Sequence, residues 1–171
     1  MTQQLKLSLS GVIDFDPESC TGCGTCELIC SSRSAGMSNP TLSCVTINHN
    51  SLDDEPTCDV CNQCQYPGCL YACPVEAILV DQATGARYID REKCIGCGSC
   101  YQACPFTPGR TMIKIQVVND QERYLKCDLC RDRSDGPFCV QLCPTQALRL
   151  VTAKDRTETR RPQREKLLSH T

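Results

Sequence analysis

Cysteine spacing constrains this chain more than any other feature of its sequence. The segment from Cys20 to Cys30 reads CTGCGTCELIC and holds four thiols in eleven residues. Further segments repeat this density, and the 171-residue chain has 18 cysteines in all. Thiols packed this closely are either disulfide partners or metal ligands.

The cysteines fall into four groups, and each group ends in a C-x3-C pair. In the second group, Cys69 and Cys73 form that pair, and the spacing allows either Cys58 with Cys61 or Cys61 with Cys64 to complete it. Cys44 stands alone. The other three groups are Cys20, Cys23, Cys26 and Cys30; Cys94, Cys97, Cys100 and Cys104; and Cys127, Cys130, Cys139 and Cys143.

This spacing predicts [4Fe–4S] clusters. A C-x2-C-x2-C loop wraps three corners of one cluster, and the fourth cysteine binds the other cluster of a pair. Because residues four apart share one face of a helix, Cys26 and Cys30 can reach two clusters from one helical turn. Prolines predict where three short helices end, whereas Ser31 at the matching place in the first group predicts a longer helix. Those prolines are Pro74, Pro105 and Pro144.

Loop glycines and two apolar hairpins complete the local pattern. The hairpins are predicted at AILVDQATGARYID, with Gly85 in the turn, and at TMIKIQVVNDQERYLKC, with Asn119 and Asp120 in the turn. A repeat relates CPVEAILV to CPTQALRLV. Glycine permits positive φ between the cysteines, at Gly22, Gly24, Gly96 and Gly98.

Zinc is the main alternative to iron–sulfur chemistry. One structural zinc takes two separated pairs of ligands, and repeated triplets followed by a fourth cysteine exceed that need. A zinc-stabilised interaction module nevertheless stays the alternative function. An iron–sulfur enzyme with an open iron is a further alternative, but it would need a group that lacks a cysteine.

The N-terminal sequence predicts a cytoplasmic protein. It shows no export signal, and no window approaches eighteen apolar residues. Cytoplasmic thiols stay reduced, which disfavours a disulfide framework. The net charge is −2, although the tail from Thr152 has six basic and three acidic residues. The acidic body argues against nucleic acid as a partner, and no nucleotide-binding motif is present.

The cysteine motifs resemble those of four-cluster, ferredoxin-like electron-transfer subunits of molybdenum and tungsten pterin oxidoreductases, such as dimethyl sulfoxide reductases and formate dehydrogenases. The resemblance covers about residues 12–151. Its C-x2-C-x4-C-x3-C-P pattern, from Cys61 to Pro74, selects Cys61 and Cys64 and leaves Cys58 as a spare thiol. CTGCGTCELICS, followed by NPTLSCVTI, is most similar to subunits that accompany tungsten aldehyde oxidoreductases.

The resemblance implies an α+β fold of two bacterial-type dicluster ferredoxin-like modules, the second inserted in the first. Residues 1–57 plus 111–151 would form the first module, residues 58–110 the inserted module, and residues 152–171 a basic tail. The cysteine spacing alone also permits another pairing, in which the first group pairs with the second and the third with the fourth. The implied ligand sets are Cys20, Cys23, Cys26 and Cys143; Cys30, Cys127, Cys130 and Cys139; Cys61, Cys64, Cys69 and Cys104; and Cys73, Cys94, Cys97 and Cys100.

The function so implied is non-catalytic electron transfer through four [4Fe–4S] clusters. Its partners would be a catalytic tungsten or molybdenum pterin subunit and either a second redox subunit, flavin- or quinone-linked, or a soluble ferredoxin; self-association is also conceivable. We expect Cys44 to be a small buried residue on a strand, and His49 and His170 to be solvated. Two interpretations of the basic tail stay open: it is solvated, or it docks an acidic partner or another copy through Arg156, Arg160, Arg161, Arg164 and Lys166.

Overall fold

Short apolar runs between the cysteine loops form hairpins and single helical turns. A computed structural model describes residues 10–49, 55–107, 109–110, 112–118, 120–152 and 154–156. The strands are β1 Val12–Phe15, β2 Val45–Asn48, β3 Thr57–Val60, β4 Ile78–Val80, β5 Arg87–Ile89, β6 Ile113–Val118, β7 Gln121–Lys126 and β8 Leu148–Val151. The helices are α1 Thr25–Ala35, α2 Gly68–Tyr71, α3 Ser99–Gln102 and α4 Phe138–Gln141, and Pro40–Leu42 form a 3-10 turn.

Strands pair two by two and antiparallel in the described part of the chain. The pairs β4–β5 and β6–β7 are the two predicted hairpins, and both are confirmed. Gly85 lies in the first turn with a φ of 70°, and Asp120 in the second with a φ of 60°. Asn119, the other predicted turn residue, lies outside the described residues.

Two further sheets complete the strand pairing of the described residues, and one of them joins segments that are distant in sequence. β1 pairs with β8, from Val12 opposite Val151 to Phe15 opposite Leu148. β2 pairs with β3, with Val45 opposite Val60. The predicted module boundary at residue 58 therefore falls inside β3, so the β2–β3 sheet spans it.

Helix lengths follow the proline pattern. The helices α2, α3 and α4 have four residues each, and the chain reaches Pro74, Pro105 or Pro144 shortly after each one. Helix α1 has eleven residues and continues past Ser31. It ends at Gly36, whose left-handed backbone directs its N–H to the Ser32 carbonyl. The longer first helix expected from the sequence is thus confirmed.

The sequence repeat is also a backbone repeat. Glu76 and Gln146 occupy the third position after Cys73 and Cys143, and both adopt positive φ, 50° and 55°. Their N–H groups donate to the carbonyls of Cys73 and Cys143 at 3.3 and 3.2 Å. Each repeat then enters a strand, β4 or β8. The same tight turn therefore leads away from a cysteine twice in the chain.

Cysteines form much of the interior of this fold. One buried core region contains Cys26, Cys61, Cys127 and Cys139 among residues such as Ile13. A second region contains Ile78, Cys100, Ile113 and Tyr124, with Cys69, Cys73 and Cys104 packed against it. The first region is lined mostly by the first and fourth cysteine groups, and the second by the second and third groups.

The start of the basic tail contacts the body of the chain. The Arg156 guanidinium donates to Asn62 Oδ1 at 2.7 Å and lies 3.5 Å from Asp14 Oδ1. Arg156 is therefore engaged within its own chain, and docking of the basic tail to a partner stays a prediction. The remaining predicted tail residues and His170 lie outside the described residues. Across the described ranges, no helix is both long and apolar enough to cross a membrane.

Candidate iron–sulfur centres

The first predicted ligand set surrounds one cavity. Cys20, Cys23 and Cys26 come from the loop before α1 and from its first turn, and Cys143 follows α4. All four line a cavity whose walls include Phe15, Ile47 and Leu148. We call this cavity site 1. Because β1 pairs with β8, segments from both ends of the described chain meet at this site.

The second predicted set lines an adjoining cavity, site 2. Cys30, one turn after Cys26 on α1, faces it together with Cys127, Cys130 and Cys139. Cys44 also lines this cavity; it is buried but lies one residue before β2 rather than on a strand. Its N–H donates to Cys30 Sγ at 3.3 Å. Hydrogen bonding from Cys44 lowers the pKa of Cys30.

The third predicted set lines its own cavity, site 3. Cys61, Cys64 and Cys69 meet Cys104, which follows α3. Cys58 does not take part in this lining. It lies buried in β3, opposite Ile47, as the spare-thiol interpretation expects.

The cysteines of the fourth predicted set, which we call site 4, interact with one another or with the same neighbouring residue. Cys100 interacts electrostatically with Cys94 and Cys73. The Tyr124 hydroxyl interacts with both Cys100 and Cys97. Cys97 is exposed, as is Cys23 in the matching place of site 1.

Backbone N–H groups point at several of the sulfurs. Gln63 donates to Cys61 Sγ at 3.4 Å, and Ala77 donates to Cys73 Sγ at 3.2 Å. Such N–H groups stabilise negative charge on sulfur, which is the charge that a thiolate carries. These amides lie at cysteines of sites 3 and 4.

Hydroxyl groups accompany the two exposed cysteines. Thr25 Oγ1 and Ser99 Oγ each lie 3.4 Å from the sulfur of the cysteine two residues earlier, Cys23 and Cys97. Hydrogen bonding to Thr25 lowers the pKa of Cys23, and hydrogen bonding to Ser99 lowers the pKa of Cys97. The two loops are thus equivalent in chemistry as well as in sequence.

Burial has the opposite effect on the cysteines that face the cavities. Loss of water contact raises the pKa of Cys26 to about 12 and that of Cys100 to about 11. A metal centre must displace these protons, since thiolate is the form that binds iron. Removal of the metal would therefore leave protonated thiols in the core.

Close backbone packing explains two of the loop glycines. All four loop glycines have positive φ, which confirms the expectation from the sequence. A Cβ on Gly96 would lie 2.4 Å from the Glu122 carbonyl oxygen. A Cβ on Gly22 would lie 2.4 Å from the ring of His49, which is exposed, as expected, and rests on this loop.

These residues fit [4Fe–4S] clusters. Sites 1 to 3 each bring the four thiols of one predicted set around one cavity, joined at site 2 by Cys44, and two neighbouring sites take Cys26 and Cys30 from one helical turn. One-electron transfer is the chemistry that such a cluster supplies when it is bound. Within the described ranges, no group of three or more His, Cys, Asp or Glu side chains is arranged to hold a single metal ion.

Sequence reasoning missed three buried polar residues at site 3. Lys126, Arg87 and Gln63 are 8%, 0% and 6% exposed, and all three line the cavity. Lys126 and Arg87 occupy strand positions, and the alternation of polar and apolar residues in these strands did not predict that their charges are buried. Gln63 could not be recognised from the sequence, because it reads as an ordinary polar residue between two cysteines.

Cysteine loops closing on apolar cavities, beside short helices and hairpins, define an iron–sulfur protein of ferredoxin type. Residues 55–153 match the family model described as "4Fe-4S dicluster domain", and residues 12–35 match a "4Fe-4S binding domain". The chain belongs to the 4Fe-4S dicluster family.

Curated relatives include electron-transport proteins and subunits of larger enzymes. The chain is 33% identical to "Electron transport protein HydN" of Escherichia coli (strain K12), over 78% of this chain and 83% of that protein. It is 31% identical to "Formate dehydrogenase iron-sulfur subunit" of Haemophilus influenzae, over 88% of this chain. The match spans 53% of that subunit, about half of its length.

A solved structure of the "Active site complex BamBC of Benzoyl Coenzyme A reductase" is also similar. It is 26% identical to this chain, with a TM-score of 0.44, and the match covers 93% of this chain and 90% of that chain.

Proposed function

We propose that this chain is an electron-transfer subunit that passes single electrons through four [4Fe–4S] clusters, between a catalytic oxidoreductase subunit and a second redox partner. The observation that carries this proposal is the grouping of the cysteines at sites 1 to 3. Each cavity is lined by all four cysteines of one set implied by the motif resemblance, and the site 2 cavity is lined by Cys44 as well. The names of the relatives, an electron-transport protein and an iron–sulfur subunit, support the same role.

The four sites adjoin one another, which supports a continuous path. Helix α1 supplies Cys26 to site 1 and Cys30 to site 2. Cys127 of site 2 interacts electrostatically with Cys61 of site 3. Cys100 of site 4 interacts with Cys69 of site 3. The proposed order along the path is therefore site 1, site 2, site 3 and site 4.

The proposed nested arrangement has support in the strand pairing and in the core. The β1–β8 sheet brings residues 12–15 to residues 148–151, on either side of the proposed insertion. The second core region draws its cysteines from residues 69–104. Both observations favour pairing the first cysteine group with the fourth and the second with the third, rather than pairing in sequence order.

Both ends of the proposed path approach the surface. Cys23 at site 1 and Cys97 at site 4 are the exposed members of their sets. Electron exchange with a partner requires such proximity, because transfer weakens steeply with distance. We propose a catalytic tungsten or molybdenum pterin subunit at one end and a redox subunit or ferredoxin at the other. The aldehyde oxidoreductase assignment stays a prediction.

The experiment is a count of clusters and of the electrons they accept. The chain is purified without oxygen, and iron, sulfide and zinc are measured per polypeptide. We expect about sixteen irons, a brown protein, and four one-electron reductions in a titration followed by electron paramagnetic resonance. A colourless zinc protein, or one with far less iron, would overturn the proposal.

A pair of matched variants tests the ligand sets. C26S and C30S change two sulfurs one helical turn apart on α1. We expect the two variants to alter different cluster signals and to leave those of sites 3 and 4 unchanged. Loss of the same signal in both would contradict the assignment. The partner is sought by affinity purification of the full chain from its native cells, with molybdenum and tungsten analysis of the complex.

A further inference from the structure

Two buried cations lie beside site 3. Lys126, at the end of β7, and Arg87, at the start of β5, both line the cavity that holds Cys61, Cys64, Cys69 and Cys104. Their side chains are almost completely removed from water. Among the described residues that line this cavity, none is an aspartate or a glutamate. The positive charge therefore faces the thiols.

Hydrogen bonds hold Lys126 in this position. Its ammonium donates to the Arg87 carbonyl at 2.7 Å and to the Cys127 carbonyl at 3.2 Å. It also lies within hydrogen-bonding reach of the Cys61 thiol and interacts electrostatically with Cys69. The carbonyls of Arg87 and Cys127 thus hold the ammonium close to two of the four sulfurs of site 3, those of Cys61 and Cys69.

Arg87 and Gln63 complete the arrangement. The Arg87 guanidinium donates to Ser10 and interacts electrostatically with Cys61, Cys64 and Cys69. Gln63 accepts from the Arg87 N–H at 2.8 Å and donates to the Cys127 carbonyl at 2.8 Å. The cations consequently lie at the junction between site 3 and the Cys127 loop of site 2.

Each of the other sites has an acidic group in its surroundings. The Glu27 carboxylate interacts with Cys26 at site 1. At site 2, Arg33 and Asp128 are 3.2 Å apart, and their charges act on Cys130 in opposite directions. Lys126 also lines the site 2 cavity and interacts electrostatically with Cys127, but there it lies among aspartates and a glutamate as well as arginines. At site 4, Tyr124 donates to Glu122 at 2.6 Å, and Arg91 and Arg123 line a cavity together with Cys94. Within the described structure, site 3 thus differs from the other sites in having two almost completely buried cations beside its thiols and no acidic residue in its cavity lining.

We propose that Lys126 and Arg87 make site 3 the position of highest reduction potential in the chain, where an electron rests between transfers. A cluster with four thiolates has net negative charge, and an added electron makes it more negative, so nearby fixed cations favour its reduction. One electron leaves a reduced neighbouring [4Fe–4S] cluster, which is oxidised, and enters site 3, which is reduced. This inference rests on the proposed four-cluster function.

The first experiment identifies the site that is reduced first in the unsubstituted chain. C69S, which replaces one sulfur of site 3 by oxygen, is compared with the parent in a redox titration followed by electron paramagnetic resonance. We expect the signal that appears at the highest potential to be the one that C69S changes. If C69S changes a later signal instead, the proposal is overturned.

The second experiment removes the charge. K126Q and R87Q are expected to lower the reduction equilibrium constant of that first signal by about tenfold each, which corresponds to about 59 mV for one electron. K126R keeps the charge and should restore the parental value. K114Q removes an equal charge from the same hairpin, where the ammonium contacts Thr46 at 2.6 Å, and should leave the first signal in place.

Iron content separates the two proposals. About sixteen irons and four reductions support the four-cluster function whatever the order of the potentials. If the first signal is unchanged in both K126Q and R87Q at full iron content, the role of the cations is refuted, while the four-cluster function is not. If either variant loses iron, the C69S comparison still decides the proposal.

Discussion

Cys58 and Cys61 are three residues apart, yet the end of one strand gives them different surroundings. Cys58 lies within β3 and packs into the core opposite Ile47. Cys61 follows the strand, where the chain turns toward the site 3 cavity. Burial raises the pKa of the Cys58 thiol to about 12, so this thiol stays protonated. We therefore expect it to act as a small apolar side chain and not as a ligand.

A pair of alanine variants tests this distinction. C58A should keep the full iron content and lose about 1 kcal/mol of stability, because it removes only one buried sulfur atom. C61A should lose the signal of one cluster. Iron, sulfide and the resonance spectrum are measured for each variant. Equal iron loss in both would mean that Cys58 is a ligand.

Gly96 provides a second test at the residue scale. Its φ is 72°, and an added Cβ would contact the Glu122 carbonyl oxygen of β7. G96A should therefore lower the free energy of unfolding by about 2 kcal/mol. G109A serves as the control, because a Cβ at Gly109 would meet no atom within 4 Å. Denaturant unfolding without oxygen measures both, and equal stabilities would contradict the packing argument.

At the scale of elements, α1 differs from the three short helices because Ser31 replaces a proline. The Ser31 hydroxyl donates to the Leu28 carbonyl at 3.0 Å and accepts the Asn39 N–H at 3.0 Å. Two residues further on, Arg33 pairs with Asp128 in the loop of the fourth cysteine group. The additional turns of α1 thus connect the first and fourth groups beside site 2.

Proline at position 31 tests the need for those turns. S31P should interrupt α1 and lower the free energy of unfolding by about 3 kcal/mol. It should also weaken the retention of iron at site 2. S31A removes the hydroxyl but keeps the helix, so it should cost less than S31P. Circular dichroism and iron release to a chelator compare the two variants. Similar losses would assign the role to the hydroxyl instead of the helix.

Local patterns were predictable for most elements. The alternation around Gly85 and the C-x3-C-P motifs predict the hairpins and the short helices, because both depend on neighbours in sequence. The pairing of β1 with β8 depends on contacts between distant segments and left no local pattern. Lys126 and Arg87 escaped prediction for a related reason. Their burial depends on which thiols the fold places next to them.

At the scale of the whole molecule, the described interior is built largely from thiols. Both core regions include cysteines of the predicted ligand sets. The chain has no tryptophan and only 5% aromatic residues, so aromatic side chains supply little of the core. Bound metal would therefore contribute much of the folding free energy, as it does in other small metalloproteins.

Metal removal tests this dependence. Treatment with a chelator under reducing conditions should abolish cooperative unfolding and reduce the strand and helix signal in circular dichroism. Reconstitution with iron and sulfide should restore both, whereas zinc alone should not. A chain that keeps cooperative unfolding without metal would show that the protein contacts suffice.

The pairing of β1 with β8 also sets a sequence of events during synthesis. The ribosome makes Val12–Phe15 early, but their hydrogen-bonding partners, Leu148–Val151, emerge only after more than a hundred further residues. Cys143, which faces Cys20, Cys23 and Cys26, is equally late. The segment from Cys61 to Cys104 is complete long before either of them. We therefore expect the protein to mature from its middle outward, with the opening cysteine loop the last to close.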